Sequence, residues 1–546
     1  MKLYILFITF IVLISNQGFS QKNDVSEFKQ NHVNWHLKNI SSSVMGTNTQ
    51  KAYDEIIINK TSKKKKIIVA VIDAGVDIYH EDLKENIWTN TNEIKGNGID
   101  DDKNGYIDDV HGWNFLGNSK GENIGRATLE KTRLLRELTP KYGSGVEFLI
   151  NDKSKAESAL YKKLKAEIDA ELKEVNEMLL NIQAIKENIK NTYAYLSQLS
   201  GQPINSHEDV KNLNPADKQQ KKIRRKLILY SKMGLTKKAM EDYYNQLKDQ
   251  KEANLNVNFN PRKDIIGDDL SNLADNNYGN PNVIGPDAFH GTFCAGIIGA
   301  SINNKKGING VANNVLIMPI RAVPNGDEYD KDVALAIRYA VDNGAQVINM
   351  SFGKSYSANK ELVDDAFAYA EKNDVLLVQA AGNSNENIDI KPNFPSDSLN
   401  NGRKVANHIC VGASTISTKK RLPAGFSNYG NRTVDIFAPG LDIVSTTIES
   451  LYEISQGTSF SAPVVSGVAA LLWSYYPELT ALQVKEIIMK SATPLGRKRV
   501  RIPGDKKKTR FRELSVSDGV VNTYNAFIMA EEITNKEITN KENNEK

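Results

Sequence analysis

Cysteine is scarce in this chain: only two are present among 546 residues, Cys294 and Cys410. Two cysteines cannot build a disulfide framework. Both lie in apolar runs, TFCAGII and HICVGA. We therefore expect two buried free thiols rather than a bridge, and we expect neither to act as a nucleophile.

An excess of either charge is also lacking. The chain has 70 Lys and Arg against 66 Asp and Glu, a net charge of +4, which is small for this length and does not point to a nucleic-acid partner, so we expect none. With 40% hydrophobic and 25% charged residues, the composition is typical of a soluble globular protein.

Long apolar runs are confined to the N-terminus. After Lys2, an apolar run extends from Leu3 to Ile14, and small residues precede Gln21. This pattern predicts a secretory signal peptide over residues 1–20, since the run is too short to span a bilayer comfortably. An uncleaved anchor is the alternative. No cysteine follows the run, so no lipid anchor is expected. We expect bacterial export to the periplasm or outside, and no membrane contact after cleavage.

Short apolar runs alternate with helical patterns along most of the chain. Strands are predicted at 67–73, 316–323, 345–352, 374–382 and 408–414, and helices at 331–344 and 360–373. Such alternation predicts an α/β fold with a mostly parallel sheet covered on both faces.

Three segments hold the residues of a nucleophilic triad. They are VAVIDAGVD with Asp73, HGTFCAGIIGA with His290 and GTSFSAP with Ser459. A serine hydroxyl attacks an amide only when an imidazole takes its proton and a carboxylate orients that imidazole. Asp73 ends a predicted buried strand, and Ser459 opens a predicted helix, whose positive end suits a nucleophile. The order Asp, His, Ser separates this arrangement from the other two common orders.

These three segments, in this order, resemble those of the subtilisin-like serine proteases, the subtilases. The resemblance covers about 67–115 and 261–530. It implies a three-layer fold with a mostly parallel central sheet, in which Asp73, His290 and Ser459 hydrolyse peptide bonds through an acyl-enzyme. It also implies that Asn383, in AAGNSN, donates to the oxyanion together with the backbone N–H of Ser459. Taken alone, an asparagine after glycine is more often a turn residue.

The resemblance further implies edge segments that hold an extended polypeptide substrate. They comprise Ser351, Phe352 and Gly353 on one side and Asn393 and Phe394 on the other. Asn393 stands where glycine is frequent in the family, which leaves the depth of the pocket open. Asp327 and Glu328 fall near a second edge. They would either favour basic residues in the substrate or be solvated loop charges.

An acidic segment, GNGIDDDKNGYIDDVHGWNF, has the beginning of a calcium loop. Its oxygen-bearing side chains alternate and are followed by a glycine that permits a sharp turn. The usual glutamate at the twelfth position is replaced by His111, so other carboxylates would have to complete the site. The alternative is an acidic turn without metal. The candidate structural Ca²⁺ ligands are Asp100, Asp102, Asn104, Asp108 and Asp109, with Asp82 added by its resemblance to a family calcium ligand.

The gap of 217 positions between Asp73 and His290 is longer than is usual in subtilases. Composition places an insertion at 117–258, where apolar residues between Ile168 and Leu196 recur in helical steps. A helical hairpin or small bundle is predicted, and pairing of this stripe with a second chain is the alternative. The predicted organisation is a signal peptide (1–20), a polar lead-in (21–66), a catalytic domain (67–116 and 259–530), the insertion (117–258) and a frayed polar tail (531–546).

A secreted serine endopeptidase acting on extended polypeptides is the leading hypothesis. One alternative is a processing protease of restricted specificity, its cleft shielded by the insertion. Another is a binding scaffold whose insertion recognises a partner. The complete set Asp73, His290, Asn383 and Ser459 favours an enzyme, because a scaffold has no need of it.

Overall fold

The computed structural model describes residues 25–28, 32–60, 65–144, 151–232 and 235–544, so the predicted signal peptide lies outside the described residues. The chain forms two compact units. One holds residues 131–260, and the other holds the described parts of residues 20–130 and 261–546. We expected the insertion to begin at 117. Residues 117–130 instead belong to the larger unit, so the insertion proper begins at Lys131.

The larger unit contains all the strands found in the described residues. The strands are β1 (Ile67–Asp73), β2 (Trp113–Asn114), β3 (Val315–Arg321), β4 (Val347–Met350), β5 (Leu376–Ala380), β6 (His408–Ser414), β7 (Ile436–Pro439), β8 (Ile443–Thr447), β9 (Leu451–Ser455), β10 (Thr493–Pro494), β11 (Arg499–Arg501), β12 (Lys508–Arg510) and β13 (Gly519–Val520). The helices that begin in this unit are α1 (Thr49–Glu55), α2 (Glu130–Tyr142), α7 (Pro261–Ile265), α8 (Phe289–Gly299), α9 (Asp330–Asp342), α10 (Lys360–Lys372), α11 (Thr458–Tyr475), α12 (Ala481–Lys490) and α13 (Thr523–Asn544).

Nine strands form the central sheet, in the order β10-β13-β7-β6-β5-β4-β1-β3-β2. All neighbours pair in parallel except β10 and β13. Side chains alternate between the faces of β1. Val69 and Val71 join the core beneath α8, α11 and α12, and Ala70 and Ile72 join the core beneath α9 and α10. The predicted three-layer α/β fold is confirmed.

The segment before β1 is part of the core, although we expected a polar lead-in. Trp35, Leu37, Ala52 and Ile57 are buried in the same cluster as α11. The indole Nε1 of Trp35 also donates a 3.0 Å hydrogen bond to the carbonyl oxygen of Asp442. A few large apolar residues in a polar segment are therefore enough to anchor it.

The predicted frayed tail is helical instead. Helix α13 continues as far as Asn544. Ala530 is buried and Ile533 packs against the main core, so one face of the helix is held by burial. The EITNK repeat places an isoleucine on that face.

The smaller unit is the predicted helical bundle. After α2 come α3 (Asp152–Ser200), α4 (His207–Asn212), α5 (Lys218–Lys232) and α6 (Lys237–Asp249). Asn151 caps α3 by accepting from the N–H of Ser154, and Gly201 ends it in the left-handed conformation. Five of the seven buried residues of α3 recur at every seventh position, at Ile168, Val175, Ile182, Ile189 and Leu196. Helices α5 and α6 contact α3 within the unit, so the stripe is covered intramolecularly. Within the described residues, we find no helix with the length and apolar content needed to cross a bilayer.

Candidate active site

The carboxyl ends of three neighbouring parallel strands form one edge of the site. Asp73 is the last residue of β1, Ser351 follows β4, and Asn383 lies three residues beyond β5. Because β1, β4 and β5 are adjacent and parallel, these ends meet at the same side of the sheet, where α/β proteins build their sites.

Asp73 and His290 are directly bonded. His290 Nδ1 lies 2.8 Å from Oδ1 and 3.0 Å from Oδ2 of Asp73. A carboxylate only accepts, so Nδ1 carries the proton, which leaves Nε2 of a neutral ring able to accept another. Gly291 makes this approach possible, because a Cβ atom there would lie 2.2 Å from the carbonyl oxygen of Gly75.

The environment raises the pKa of His290 above its ordinary value. Burial alone lowers this pKa, but the negative charge of Asp73, its hydrogen bond to the ring and the charge of Asp287 together outweigh burial. The Asp73 side chain is 2% exposed and that of His290 is 35% exposed. The imidazole therefore reaches the surface while its partner carboxylate does not.

Ser459 lies in the first turn of α11, which begins at Thr458. N–H groups in a first turn have no acceptor inside the helix. The ring centroid of Phe460, the next residue, lies 5.5 Å from that of His290. The residue next to Ser459 thus packs beside the ring of His290.

Two donors face a common space beside Ser459. A Cβ atom on Gly457 would lie 3.6 Å from both the side-chain nitrogen of Asn383 and the backbone nitrogen of Ser459. The side-chain oxygen of Asn383 accepts from the N–H and the hydroxyl of Thr458, each at 2.9 Å. These bonds turn the Asn383 amide so that its NH₂ group faces this space.

A chain of hydrogen-bonded polar side chains connects strand β4 to the backbone of Ser459. The Ser351 hydroxyl donates to the Ser459 carbonyl oxygen at 2.7 Å. Asn349 donates to the Ser351 hydroxyl and accepts from Ser466, each at 2.9 Å. Sequence reasoning missed Asn349 and Ser466. A lone polar residue in the apolar strand QVINMSF was the available signal for Asn349.

The segments predicted to hold substrate pair with each other at Lys354 and Phe394, whose backbones exchange two 2.8 Å hydrogen bonds. The Asn393 amide fills a slot between two glycines. Its Nδ2 would lie 2.8 Å from a Cβ on Gly353 and 3.7 Å from one on Gly382. Phe352 is 9% exposed and belongs to the core, so its side chain lines the hydrophobic interior.

A sequence profile described as "Subtilase family" matches residues 64–511. The chain belongs to the subtilase family. This family comprises serine-type endopeptidases, and similar proteins include a thermophilic serine proteinase of a Bacillus species, 41% identical over 34% of this chain and 42% of that protein. Subtilisin DY of Bacillus licheniformis is 36% identical over 38% of this chain and 71% of its own length. This chain therefore spans less than half of the length of the thermophilic serine proteinase.

Solved structures are also similar. The prenylagaramide maturation protease PagA is 28% identical over 44% of this chain and 82% of that chain, with a TM-score of 0.36. A structure of the subtilase cytotoxin SubAB assembly is 24% identical over 46% of this chain and 80% of that chain, with a TM-score of 0.39.

In this subtilase, Glu328 is not a solvated loop charge. It is 2% exposed, and burial raises the pKa of its carboxyl to about 8, against the opposing charge of Lys354. Asp327 accepts from the backbone N–H of Glu130 at 2.7 Å. Neither carboxylate is arranged as a free anionic contact for substrate.

Three carboxylates of the acidic segment converge. Glu93, Asp100 and Asp102 each bring an oxygen within 4.8 Å of the others, which fits a Ca²⁺ ion in charge and ligand type. Sequence reasoning missed Glu93, which precedes the loop pattern. Asn104 lies beside this group, and its side-chain nitrogen donates to Asp102 at 3.3 Å and to Asp109 at 3.0 Å.

The other predicted metal ligands have different partners. Asp108 accepts from the N–H groups of residues 96–98. Asp109 is buried, accepts from Tyr339 at 2.6 Å, and burial raises its pKa. Asp82 contacts Asn304 and the N–H of Ile308 instead. The carboxylates of these three therefore accept hydrogen bonds from the surrounding backbone and core, and they do not converge with those of Glu93, Asp100 and Asp102.

Both cysteines are free and buried, as predicted. Burial raises the pKa of each thiol well above its usual value, which keeps both protonated and unreactive. The Sγ atom of Cys294 lies 3.4 Å from the Ser459 carbonyl oxygen, to which it donates.

Proposed function

We propose that the protein is a serine endopeptidase that uses Asp73, His290 and Ser459 as its triad. The observation that carries the proposal is the 2.8 Å bond between His290 and Asp73, next to a helix start that holds Ser459. The two donors around Gly457 add the second requirement of acyl transfer, a place for the oxyanion.

The chemistry follows from this arrangement. Nε2 of His290 takes the proton of the Ser459 hydroxyl as Oγ attacks the substrate carbonyl carbon. The carbonyl oxygen becomes an oxyanion between the N–H groups of Asn383 and Ser459. Asp73 stays ionised and stabilises the imidazolium.

Collapse of this intermediate breaks the peptide C–N bond. His290 gives its proton to the leaving amine, and the acyl group stays on Ser459. Water, deprotonated by His290, then attacks the ester carbonyl carbon. The C–Oγ bond breaks, His290 returns the proton to Oγ of Ser459, and the acid product leaves. No external oxidant or cofactor takes part.

The test is covalent labelling by an organophosphorus inhibitor, followed by mass spectrometry. Wild type should gain one adduct at Ser459, and Ser459→Ala should lose both the adduct and peptide cleavage. Ser461→Ala is the matched control, because Ser461 lies in the same helix as Ser459 but its hydroxyl donates to the carbonyl oxygen of Ala438 in β7 at 3.0 Å. Undiminished cleavage by Ser459→Ala contradicts the triad.

The filled slot at Asn393 supports the more restricted reading of specificity. Large side chains next to the scissile bond would have to displace the amide, whereas small ones would not. We therefore expect few cleavage sites, after small residues, rather than broad digestion. Profiling of wild-type cleavages on a peptide library measures this.

A structural Ca²⁺ ion at Glu93, Asp100 and Asp102 is part of the proposal. The cation would neutralise three carboxylates that otherwise repel one another and would brace the loop that follows Trp88. Export through the segment 1–20 is proposed as well. N-terminal sequencing of the mature protein from the culture fractions tests export.

The helical insertion is proposed to govern access or partner binding rather than chemistry. The insertion has a separate hydrophobic cluster, formed within the smaller unit by Leu196, Ile204, Val210, Leu213 and Leu227. Replacing residues 133–258 by a short Gly/Ser linker should preserve turnover of small peptide esters and change the rate on folded proteins. Loss of ester turnover in a folded deletion variant contradicts this role.

A further inference from the structure

A strongly basic hairpin precedes the last strand of the sheet. Residues 497–512 contain nine Lys and Arg and one Asp, a net charge of +8, whereas the whole chain carries +4. The function described so far makes no use of this charge.

The register of the hairpin sets like charges against each other. Strands β11 and β12 pair antiparallel, with Arg499 opposite Arg510 and Arg501 opposite Lys508. Like charges directly across a strand pair destabilise it. Val500, between the two arginines of β11, is fully buried, so alternation puts all four cations on the opposite face.

Among the described residues, no carboxylate forms an ion pair with the four cations of β11 and β12. In the part of the chain that the structure describes, the one ion pair of these nine cations joins Arg512 to Glu513 at 3.2 Å. Nε of Arg501 is shielded from water and meets no acceptor there. Repulsion between these cations destabilises the hairpin, and the ion pairs of the described residues do not offset it. We take this as an indication that the positive charge binds a ligand.

The hairpin is anchored beside the oxyanion site. A Cβ atom on Gly504, at its turn, would lie 2.7 Å from Cγ of Asn385, two residues beyond the oxyanion donor Asn383. Phe511 packs against Phe437 with ring centroids 5.2 Å apart, and the Arg501 N–H donates to the Lys420 carbonyl oxygen at 2.8 Å. The turn of the hairpin is thus held against the segment that carries Asn383, and both strands that bear the cations lead from this turn.

We propose that the hairpin 497–512 is a docking surface for acidic residues of the polypeptide substrate, close to the bond that is cut. The inference rests on the proposed peptidase function. A chain that places its scissile carbonyl at Asn383 comes near the hairpin turn, and Asp or Glu side chains match the arginine forks in charge and shape. The position of this turn near Asn385 favours a ligand that also occupies the active site over a polyanion that binds elsewhere on the protein.

The test compares two fluorogenic peptides that differ only in Asp and Glu against Asn and Gln around the cleavage site. Wild type should cleave the acidic peptide about tenfold more efficiently at low salt, through KM, because several screened charge contacts add up. At about 1 M salt the preference should largely disappear.

The hairpin variant is Arg499→Gln with Lys508→Gln and Arg510→Gln, all at exposed positions. It should cleave both peptides equally and keep the wild-type rate on the neutral one. The matched control, Lys218→Gln with Lys221→Gln and Lys222→Gln, removes equal charge from exposed positions on α5 and should retain the acidic preference. Melting of the hairpin variant should not be lowered, since repulsion is relieved.

Three outcomes overturn the inference. They are equal cleavage of both peptides by wild type, an acidic preference that survives in the hairpin variant, and an acidic preference that is lost equally in the α5 control variant. Binding of both peptides to Ser459→Ala, by fluorescence anisotropy, separates this inference from the proposed function. An acidic preference in binding without wild-type cleavage supports the docking surface and contradicts the peptidase.

Discussion

The Ser351 hydroxyl donates a 2.7 Å hydrogen bond to the backbone carbonyl oxygen of Ser459. This bond holds the first turn of α11 from the side of the sheet, so that the nucleophile and its backbone N–H keep their position relative to β4. Ser351 is a positioning residue, since its hydroxyl acts through Ser459.

Ser351→Ala should therefore lower kcat for a small ester about fivefold with KM unchanged, because one hydrogen bond contributes about 1 kcal/mol. Ser351→Thr keeps a hydroxyl and should recover part of the rate. Ser466→Ala, at the far end of the same line of side chains, should change kcat less. An equal loss of kcat in both alanine variants would show a general packing effect instead.

Asn383→Ala removes the side-chain oxyanion donor. We expect kcat to fall by about 10²–10³, the loss measured for one oxyanion donor in subtilisin, with a melting temperature close to that of wild type. Asn387→Ala, a nearby asparagine whose side chain accepts from the N–H of Asp389 at 3.0 Å, is the control. A wild-type kcat in Asn383→Ala would mean that the oxyanion lies elsewhere.

Asp73→Asn changes the pH dependence as well as the rate. The general base works when His290 is neutral, above its pKa, and Asp73 helps raise that pKa. Activity of wild type should therefore be lost on the acid side at a higher pH than for an ordinary histidine. In Asp73→Asn this limb should move to lower pH, and kcat should drop about 10⁴-fold. Profiles of kcat/KM against pH measure both effects, and an unmoved limb contradicts the assignment.

Asn393→Gly should widen specificity. Removing the amide empties the slot between Gly353 and Gly382, so kcat/KM for a peptide with phenylalanine before the scissile bond should rise about tenfold or more. The alanine peptide should stay within about threefold. Asn393→Gln, which keeps an amide and adds a methylene, should lower both. Unchanged selectivity in Asn393→Gly would place the side-chain pocket elsewhere.

Calcium should stabilise the loop that holds Asp100 and Asp102. A site bound only in the folded state adds about 2.7 kcal/mol at a hundredfold excess of ion over Kd, so a chelator should lower the melting temperature of wild type. Asp100→Asn with Asp102→Asn should remove that sensitivity. Asp108→Asn, which weakens the loop amide contacts, should lower stability yet leave the response to chelator. If chelator leaves the melting temperature of wild type unchanged, the calcium site is contradicted.

The buried strands were the most predictable part of the fold. The strands 67–73 and 408–414 were confirmed at both ends, because a continuous apolar run bounded by polar residues leaves few alternatives. The start of α11 was placed within one residue, since Gly457 marks the turn before it. The long helix was recognised by its stripe, but its start at Asp152 lies far before the first stripe residue.

Contacts between distant segments were not predictable. Glu93 joins Asp100 and Asp102 through a turn that no spacing rule describes, and Asn349 gains its role only when β4 lies beneath α11. The wrong expectation for the tail had a similar origin. A repeat that is polar on average still buries Ile533 once a core lies beside it.

The contact between the first helix and the last has a consequence for biosynthesis. Thr49, at the start of α1, shares a 2.7 Å hydrogen bond with Thr523, at the start of α13, across 474 residues of sequence. A chain still emerging from the ribosome has no residue 523 to meet Thr49, so this closure can form only after the 474 residues that separate the two threonines have been made. Contacts of such long sequence separation form slowly. The first helix of the larger unit therefore stays without this contact while residues 50–522 are being made.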